Sequence, residues 1–506
     1  MHLREYQKKC IESIYNEIKK LPSALVVAAT GSGKTVVFVK FIEFCFEKMR
    51  RFRKDETFRV MILVHKVDLV TQTQEKLNQF AKHLNISIYC GSLNKKELDS
   101  EIIIGSIDSI KKHDLKINLL IVDEYHRFHK RKSYHQYKAK LLEINPKLKS
   151  CYFTATPYAE RGYVYGEDEE IKKPCFEIGM TELIKQGHLV KPIFSEGKDK
   201  YDTSELRRDS KGEFVGKDLL AMVTSNPDKI KRQVASAIEA LNSRSKTIWC
   251  CTSIEHAEQV EVELMAHGER VVCVHSKKPI VRQAELVDAF STGSINHLVS
   301  VTKLSEGTDI PCIDSVVCMR PTRSPTLYVQ MIGRGLRPHE GKEDCLFLDY
   351  GDVVASLGHP SNPHIRKKRD KKTDTPKAII CPACRSLNFA PISNCESCGY
   401  DYLKDEREVD RLKALNLLPY DPKRDNKIAV ISWHVDWQYR SKKTGKAAVL
   451  IRYQTLAGLK MQYITRNHIN REYGKFLNEH GRGKPDYVIV NESNNAFVKT
   501  RIYKDD

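Results

Sequence analysis

The sequence predicts an α/β protein with two parallel-sheet domains in tandem, then a four-cysteine ribbon and a small α+β C-terminal domain. Three observations lead to this prediction. Short apolar segments alternate with amphipathic ones over residues 1–358, a glycine-rich loop follows the first apolar segment, and two cysteine pairs lie further on. Strands that alternate with helices are typical of parallel sheets covered by helices on both faces.

The pattern divides the chain into five segments. Residues 1–180 and 181–358 are the two sheet domains, 359–376 a basic linker, 377–403 the cysteine ribbon and 404–506 the last domain. Length alone predicts about three domains. Within the two sheet domains, the apolar runs and periodicities predict strands at 60–64, 119–122, 246–250 and 271–274, and helices at 226–241 and 254–266. The polar segment 196–217 is predicted to be a loop or a small insertion.

Composition limits the class of protein. The chain has 506 residues, a formal net charge of +19 and 41% hydrophobic residues. No segment approaches the ~18 uninterrupted apolar residues of a membrane helix, and the polar start is unlike a signal peptide. Eleven of the 15 cysteines are scattered through apolar stretches, as buried thiols of a reducing compartment are. We therefore expect a soluble intracellular protein with no membrane partner.

The glycine-rich loop is the segment Ala28–Thr35, which lies between a buried strand and a helix start. Backbone N–H groups of such a loop point at phosphates. Lys34 adds a charge for the β- and γ-phosphates, and Thr35 offers a hydroxyl to Mg²⁺. The usual first glycine of the motif is Ala28 here, so the alternative of a chance Gly-Ser-Gly-Lys loop is open from these residues alone.

Two adjacent acids follow a buried strand, Leu119–Val122. Asp123 is placed to hold a metal ion and Glu124 to polarise an attacking water. A solvated acidic turn is the alternative, but the phosphate loop upstream makes a coincidence improbable. Thr154 and Thr156 end the next strand, where their hydroxyls are placed to link the nucleotide to a second domain.

The second set of strands and helices carries two arginines, Arg334 and Arg337, three residues apart among glycines. At helical spacing they share a face, and two permanently charged planar groups suit the charge that develops on a γ-phosphate. A surface helix end that binds a carboxylate is the alternative. Upstream, Gly307 and Asp309 form a turn with a carboxylate after a strand.

Taken in order, these motifs resemble the motif set of the superfamily 2 helicases over residues 1–355. The resemblance implies two RecA-like motor domains with ATP in the cleft between them and nucleic acid across both. It implies that Gln7 reads adenine, and it assigns a catalytic role to Lys34, Asp123, Glu124, Gln330, Arg334 and Arg337. The implied nucleotide contacts are Arg4, Gln7, Thr30, Gly31, Ser32, Gly33, Lys34, Thr35, Gly307 and Asp309, with Thr35 and Asp123 on Mg²⁺.

One position departs from the helicase pattern. Tyr125 follows the two acids where many relatives have alanine or cysteine. Because both acids are unchanged, we expect no loss of hydrolysis from this departure.

Four clustered cysteines predict a metal site: Cys381, Cys384, Cys395 and Cys398 form two C-x₂-C pairs with ten residues between them. Two such pairs present four thiolates tetrahedrally, the arrangement of structural zinc. Two disulfides are a poor alternative in a chain whose other thiols have an intracellular pattern, and iron is a less favoured metal.

The C-terminal third is basic, with 29 Lys and Arg against 17 Asp and Glu over residues 359–506. That excess suggests a polyanion such as nucleic acid, or else a solubilising surface. The linker segment 366–372 either touches phosphate or is solvated. Aromatic and basic residues mix in the tail, where they would stack on single strands or form the core and surface of a small domain. No nuclease motif follows Pro485-Asp486.

The order of two motor domains, a cysteine ribbon and this tail resembles the bacterial RadD helicase-like proteins, which act in DNA repair and recombination. That resemblance implies single-stranded or branched DNA as partner, with single-strand-binding protein and the RecA recombinase as further candidates. It also implies the cytoplasm of a bacterial or phage-infected cell, since phage helicases share the layout. The motor motifs leave an RNA helicase and an ATP-switched adaptor open as alternatives.

Overall fold

A computed structural model describes most of residues 1–358 and part of the remainder. The described residues are 3–52, 57–65, 67–81, 83–159, 162–209, 212–242, 244–301, 310–365, 378–384, 386–389, 393–395, 397–402, 427–436, 448–455, 458–465 and 487–489. Contacts divide the chain into two compact units, one of residues 1–389 with 396–398 and one of residues 390–395 with 399–506. Within these described ranges, every helix is too short or too polar to cross a membrane.

The first eight-stranded sheet lies in residues 23–178. The described residues of this region form β1 (Ser23–Ala28), β2 (Val60–Val64), β3 (Ile86–Cys90), β4 (Lys95–Lys96), β5 (Ile102–Ser106), β6 (Leu119–Val122), β7 (Lys149–Thr154), a hairpin of β8 (Tyr158–Ala159) and β9 (Gly162–Tyr163), and β10 (Phe176–Ile178). The sheet order is β10-β1-β7-β6-β2-β5-β3-β4. Only β4, at one edge, is antiparallel to its neighbour.

Helices cover both faces of this sheet. They are α1 (Glu5–Lys20), α2 (Lys34–Phe52), α3 (Val67–Phe80), α4 (Ile107–Ile110), α5 (Lys132–Ile144) and α6 (Met180–Lys185). Alternate residues of each strand belong to different cores: Val26 packs with residues of α1, α2 and α3, whereas Leu25 packs with residues of α4 and α5. The strands therefore read as continuous apolar runs, because both of their faces are buried.

The second sheet also has eight strands. They are β11 (Lys191–Glu196), β12 (Thr247–Cys251), β13 (Val271–Val274), β14 (His297–Val301), β15 (Ser315–Cys318), β16 (Asp344–Asp349), β17 (Ala378–Ile380) and β18 (Ser386–Phe389), in the order β13-β14-β12-β15-β16-β11-β18-β17. Its helices are α7 (Gly216–Thr224), α8 (Pro227–Leu241), α9 (Ile254–Ala266), α10 (Ile280–Ser291), α11 (Pro325–Gly335) and α12 (Val353–Leu357). The two sheets confirm the predicted tandem of parallel-sheet domains.

The hairpin that holds the first cysteine pair extends this second sheet. Strand β18 pairs antiparallel with β11, with Leu387 opposite Phe194. The ring of Phe389 lies edge-on to Phe194 at 5.4 Å and to His359 at 5.3 Å between centroids. The hairpin thus covers a sheet edge that would otherwise expose unpaired backbone groups.

The polar segment 196–217, predicted to be a loop or a small insertion, forms a small insertion over its described residues. Arg208 and Phe214 form an antiparallel bridge, and α7 follows directly. Tyr201, Phe214, Leu219 and Val223 bury one another in a small core. The polar pattern hides this core because its few apolar residues are too widely spaced to show a period.

The second unit contains a four-stranded antiparallel sheet. Its strands are β19 (Lys427–Asp436), β20 (Ala448–Thr455), β21 (Gly458–Thr465) and β22 (Tyr487–Ile489), in the order β21-β20-β19-β22. These strands supply the β part of the predicted α+β domain. The linker segment 366–372, the basic stretch 437–443 and Pro485-Asp486 lie outside the described residues.

Candidate functional site

The phosphate loop joins β1 to α2, and two of its glycines adopt a left-handed backbone conformation. Gly31 and Gly33 adopt φ values of +85° and +77°, a region that side chains with a Cβ rarely enter. The Lys34 ammonium donates a hydrogen bond to the carbonyl oxygen of Ala28 at 3.2 Å. Position 28 therefore contributes its carbonyl rather than its side chain, so alanine in place of glycine leaves the loop intact.

Helix α1 holds the loop from one side. The Tyr6 hydroxyl donates to the carbonyl oxygen of Ser32 at 2.6 Å, and the Gln7 amide donates to the same oxygen at 3.2 Å. The Gln7 side-chain oxygen accepts from the backbone N–H of Arg4 at 3.0 Å. The sequence predicted Gln7 as an adenine contact but did not point to Tyr6 as a residue that holds the loop. The position of Tyr6, directly before Gln7, was the one indication of such a role.

The two acids lie at the carboxyl end of β6. The backbone N–H of Glu124 donates to Asp123 Oδ1 at 2.9 Å, and Glu124 has a left-handed φ of +51°. A non-glycine residue in this conformation costs about 1–3 kcal/mol and is typical of functional sites. The backbone thus turns so that both carboxylates remain at the strand end.

Burial and neighbouring charges shift the pKa values of the two acids in opposite directions. Burial raises the pKa of Asp123 to about 6, and the neighbouring Glu124 carboxylate acts in the same direction. Burial also works to raise the pKa of Glu124, but the Lys34 ammonium and His126 outweigh it and hold that pKa below its usual range. The Lys34 ammonium of the phosphate loop therefore acts to lower the pKa of both acids.

His126 connects the acids to the end of β7. Its Nδ1 lies 3.4 Å from Glu124 Oε2, 3.0 Å from Thr154 Oγ1 and 3.2 Å from Thr156 Oγ1. Burial lowers the pKa of His126, which favours the neutral ring. Nδ1 of His126 thus lies at hydrogen-bond distance from the two threonines predicted to link domains and beside the Glu124 carboxylate.

Tyr125 points away from this network. It is 1% exposed, and its ring stacks on Tyr152 with centroids 4.1 Å apart and planes 8° apart. The position is therefore a core position. An aromatic residue fits there without touching the acids.

Helix α11 of the second sheet packs directly on the phosphate loop. A Cβ placed on Gly333 would lie 2.7 Å from Cβ of Thr30, and one placed on Gly31 would lie 2.8 Å from Leu189 Cδ2 and 3.7 Å from Arg337 Cγ. Arg334, the residue after Gly333, is 9% exposed. The absence of side chains at two glycines thus allows the two motor domains to meet at the loop.

The donors and acceptors gathered here fit a nucleotide and Mg²⁺. Within the described ranges, several buried side-chain atoms have no hydrogen-bond partner: Thr30 Oγ1, Ser32 Oγ, and both Nε2 and Oε1 of Gln330. Buried polar atoms of this kind normally find a partner, so a polar ligand suits them. Thr35, at the start of α2, and Asp123 offer the hard oxygens that Mg²⁺ prefers. Gly307 and Asp309 lie outside the described residues.

The four predicted ligand cysteines lie together. The Sγ atoms of Cys381, Cys384, Cys395 and Cys398 are all within 4.8 Å of one another. Cys381 Sγ and Cys398 Sγ are 3.8 Å apart, the spacing of about 3.8 Å that Zn–S bonds of about 2.3 Å give in a tetrahedron. A disulfide needs about 2.05 Å, so this arrangement suits a four-coordinate metal and not a disulfide pair.

The fold and the site together define a class. Two parallel sheets in tandem, a phosphate loop, an acid pair and an arginine-bearing helix packed on the loop are the RecA-like motor of a superfamily 2 helicase. A family model described as "Type III restriction enzyme, res subunit" matches residues 1–159. A second model, described as "Helicase conserved C-terminal domain", matches residues 229–339.

Several relatives match the same region. The chain is 27% identical over 370 residues to "Putative ATP-dependent helicase IRC3" of Saccharomyces cerevisiae, covering 71% of this chain and 53% of that protein. It is 29% identical over 381 residues to "Putative mitochondrial ATP-dependent helicase irc3" of Schizosaccharomyces pombe, covering 72% and 59%. A "51.5 kDa protein" of a Lactococcus phage is 25% identical, covering 77% and 81%. The chain therefore spans a little over half the length of the two yeast relatives.

A solved structure has the same fold. The fragment structure of a putative HsdR subunit of a type I restriction enzyme from Vibrio vulnificus aligns with a TM-score of 0.54 at 18% identity. The alignment covers 72% of this chain and 68% of that chain. This likeness concerns the fold alone.

Proposed function

We propose that this chain is a nucleic-acid-dependent ATPase that uses ATP hydrolysis to translocate on or remodel DNA. The observation that carries the proposal is the close approach of α11 to the phosphate loop, where Gly333 meets Thr30. Such an approach brings arginines of one domain to the phosphates held by the other. Hydrolysis is then coupled to the relative position of two domains, which is what a motor needs.

Each site residue has a role in this reaction. The loop N–H groups and Lys34 bind the β- and γ-phosphates, and Thr35 and Asp123 are the residues that would hold Mg²⁺, whose charge neutralises the phosphates. Glu124 orients and polarises the attacking water. Arg334 and Arg337 stabilise the charge that develops in the transition state. His126 lies between Glu124 and the two threonines Thr154 and Thr156 at the end of the next strand, so a movement of Glu124 is felt by both threonines.

DNA is the preferred substrate in this proposal for two reasons. The motif order resembles the RadD proteins of DNA repair and recombination, and residues 359–506 carry a net charge of +12, from 29 basic and 17 acidic residues. Cationic segments release counterions from a nucleic acid backbone and so favour binding. Single-strand-binding protein and a RecA-type recombinase are the candidate protein partners, in the cytoplasm of a bacterial or phage-infected cell.

Stimulation of ATP hydrolysis by different nucleic acids tests the substrate. We expect single-stranded DNA to raise the ATPase rate of the full chain by at least about tenfold, a change of about 1.4 kcal/mol in the barrier, and RNA of the same length and base order to raise it much less. Stronger stimulation by RNA would favour the RNA helicase instead. Stimulation by DNA without strand displacement or directional movement would favour the ATP-switched adaptor.

The cysteine cluster should hold one zinc ion per chain. Structural zinc sites contribute on the order of 10 kcal/mol of binding free energy, which appears as folding energy. Because β18 of the cluster hairpin pairs with β11, we expect zinc loss in Cys384→Ser to lower the melting temperature of the motor. Cys312→Ser, at a half-buried cysteine outside the cluster, is the matched control. Metal analysis that finds no zinc in chelator-free protein, or iron in its place, would contradict the assignment.

A further inference from the structure

A short hairpin of the second motor domain contacts the segment that leads into α11. In the described part of hairpin 207–215, the backbone N–H of Val215 donates to the carbonyl oxygen of Arg207 at 2.9 Å, and Asp209 N–H donates to the carbonyl oxygen of Glu213 at 2.8 Å. Phe214 anchors this hairpin in the small core of Tyr201, Leu219 and Val223. The hairpin is thus fixed at its base, and Glu213 projects from a defined position.

Both carboxylate oxygens of Glu213 are used for hydrogen bonds. Oε2 accepts from the Thr322 hydroxyl at 2.5 Å, and Oε1 accepts from the backbone N–H groups of Arg323 and Phe214, each at 2.9 Å. The Arg323 guanidinium lies over the Phe214 ring at 5.6 Å. Hydrogen bonds to a charged acceptor are about twice as strong as neutral ones. One acid therefore fixes a side chain and a backbone group of the segment 322–323.

That segment carries the cap of α11. Thr322 is 2% exposed, and its hydroxyl oxygen accepts from the backbone N–H of Ser324 at 3.0 Å. The Ser324 side chain in turn accepts from the backbone N–H of Leu327 at 3.3 Å, which is the N-cap bond of α11. An unbroken series of hydrogen bonds thus runs from Glu213 to the first turn of the helix.

The far end of helix α11 is also tightly packed, so the helix has little room to adjust its position there. Its far end presents Gly333 to Thr30 with no room for a Cβ, and Gln330 and Arg334 lie on its buried length. A shift of the helix by a few tenths of an ångström would move Arg334 relative to the phosphate loop. Misplacement of about 1 Å at a catalytic group can reduce a rate about 10²-fold.

We propose that Glu213 is a positioning residue, which sets the position of the arginine-bearing helix α11 through Thr322 and Ser324. The inference rests on the proposed ATPase function and deepens it. Glu213 touches no substrate. Its effect is on the step in which Arg334 stabilises the transition state, and nucleotide binding by the loop is independent of it.

Three variants of the full chain test this role, with kcat and KM for ATP measured at steady state in the presence of single-stranded DNA. Glu213→Ala should reduce kcat roughly tenfold, because it lets Arg334 shift by less than the ~1 Å that can cost about 10²-fold in rate, with KM for ATP within about twofold of wild type. Glu213→Gln keeps an oxygen for the Arg323 N–H and should restore most of kcat. Glu205→Ala removes an exposed acid of the same segment and should behave as wild type.

A second measurement separates positioning from simple loss of stability. Hydrogen exchange should be faster for the Arg323 amide in Glu213→Ala, while the melting temperature stays within a few degrees of wild type. If Glu213→Ala does not fold, Thr322→Val removes the same bond from its other end and should show the same drop in kcat.

The outcomes are distinct. A wild-type kcat in Glu213→Ala, or in Thr322→Val where the former does not fold, overturns the positioning role. Equal loss of kcat in Glu213→Ala and Glu205→Ala also overturns it, because the effect would then come from charge alone. A wild-type chain without nucleic-acid-stimulated hydrolysis overturns the proposed function itself, which is a separate result.

Discussion

Replacement of Lys34 by alanine and of Glu124 by glutamine should each abolish ATP hydrolysis, but by different routes. Lys34 supplies charge to the phosphates and bonds the loop at Ala28, so Lys34→Ala should weaken nucleotide binding. Glu124→Gln keeps the shape of the side chain but removes its charge and basicity. Loss of a general base reduces a rate by about 10²–10⁴-fold, and we expect this variant to bind ATP and remain in the bound state.

Nucleotide affinity and single-turnover hydrolysis, measured on the same preparations, distinguish the two routes. Glu47→Gln and Lys20→Ala are matched controls at exposed positions of α2 and α1. Hydrolysis at the wild-type rate by Glu124→Gln would show that another group activates the water. Wild-type ATP affinity in Lys34→Ala would show that Lys34 does not bind the phosphates of ATP.

The elements of both sheets could be predicted from local pattern alone. The predicted strands 60–64, 119–122 and 271–274 and the predicted helix 254–266 have the same bounds in the structure. Each strand is a continuous apolar run because it is buried on both faces, and the helix shows an apolar period because one face is buried. Burial imposes these patterns on adjacent residues, so a single sequence reveals them.

Contacts between distant segments leave no such pattern. Nothing local to Ser386–Phe389 indicates that this strand pairs with β11, since any short apolar strand can cover an edge. The same holds for Glu213, which is one charged residue in a polar segment until Thr322 and Arg323 are placed beside it. Predictions at this level need the strand order as well as the elements.

The acid pair and the phosphate loop were predictable in identity but not in environment. The αL backbone of Glu124 and the contact of Gln7 with the Ser32 carbonyl depend on how the loop and α1 pack. Tyr125 shows the converse, because its departure from the family pattern is explained only by the stack on Tyr152. The sequence thus indicates candidate reacting groups, and packing determines their geometry.

Replacement of Arg334 by alanine should reduce ATP turnover by about 10³-fold, the lower range for an arginine that stabilises the transition state of phosphoryl transfer. The residue follows Gly333, which meets Thr30 of the phosphate loop, and it is buried at 9% exposure. A buried guanidinium acts in a region of low dielectric, where its charge has more effect than in water. Because that charge matters mainly when the γ-phosphate leaves, ATP affinity should change by no more than a few fold.

Arg334→Lys discriminates between charge and geometry. Lysine keeps the positive charge but lacks the planar fork of the guanidinium, so we expect it to recover only a small part of kcat. Arg282→Ala, at an exposed arginine of α10 paired with Glu285, is the control for loss of one cation from the same domain. Weaker ATP binding by Arg334→Ala, with turnover preserved at saturating ATP, would show that Arg334 binds ATP in the ground state. In that case Arg334 would not be the residue by which the second domain stabilises the transition state.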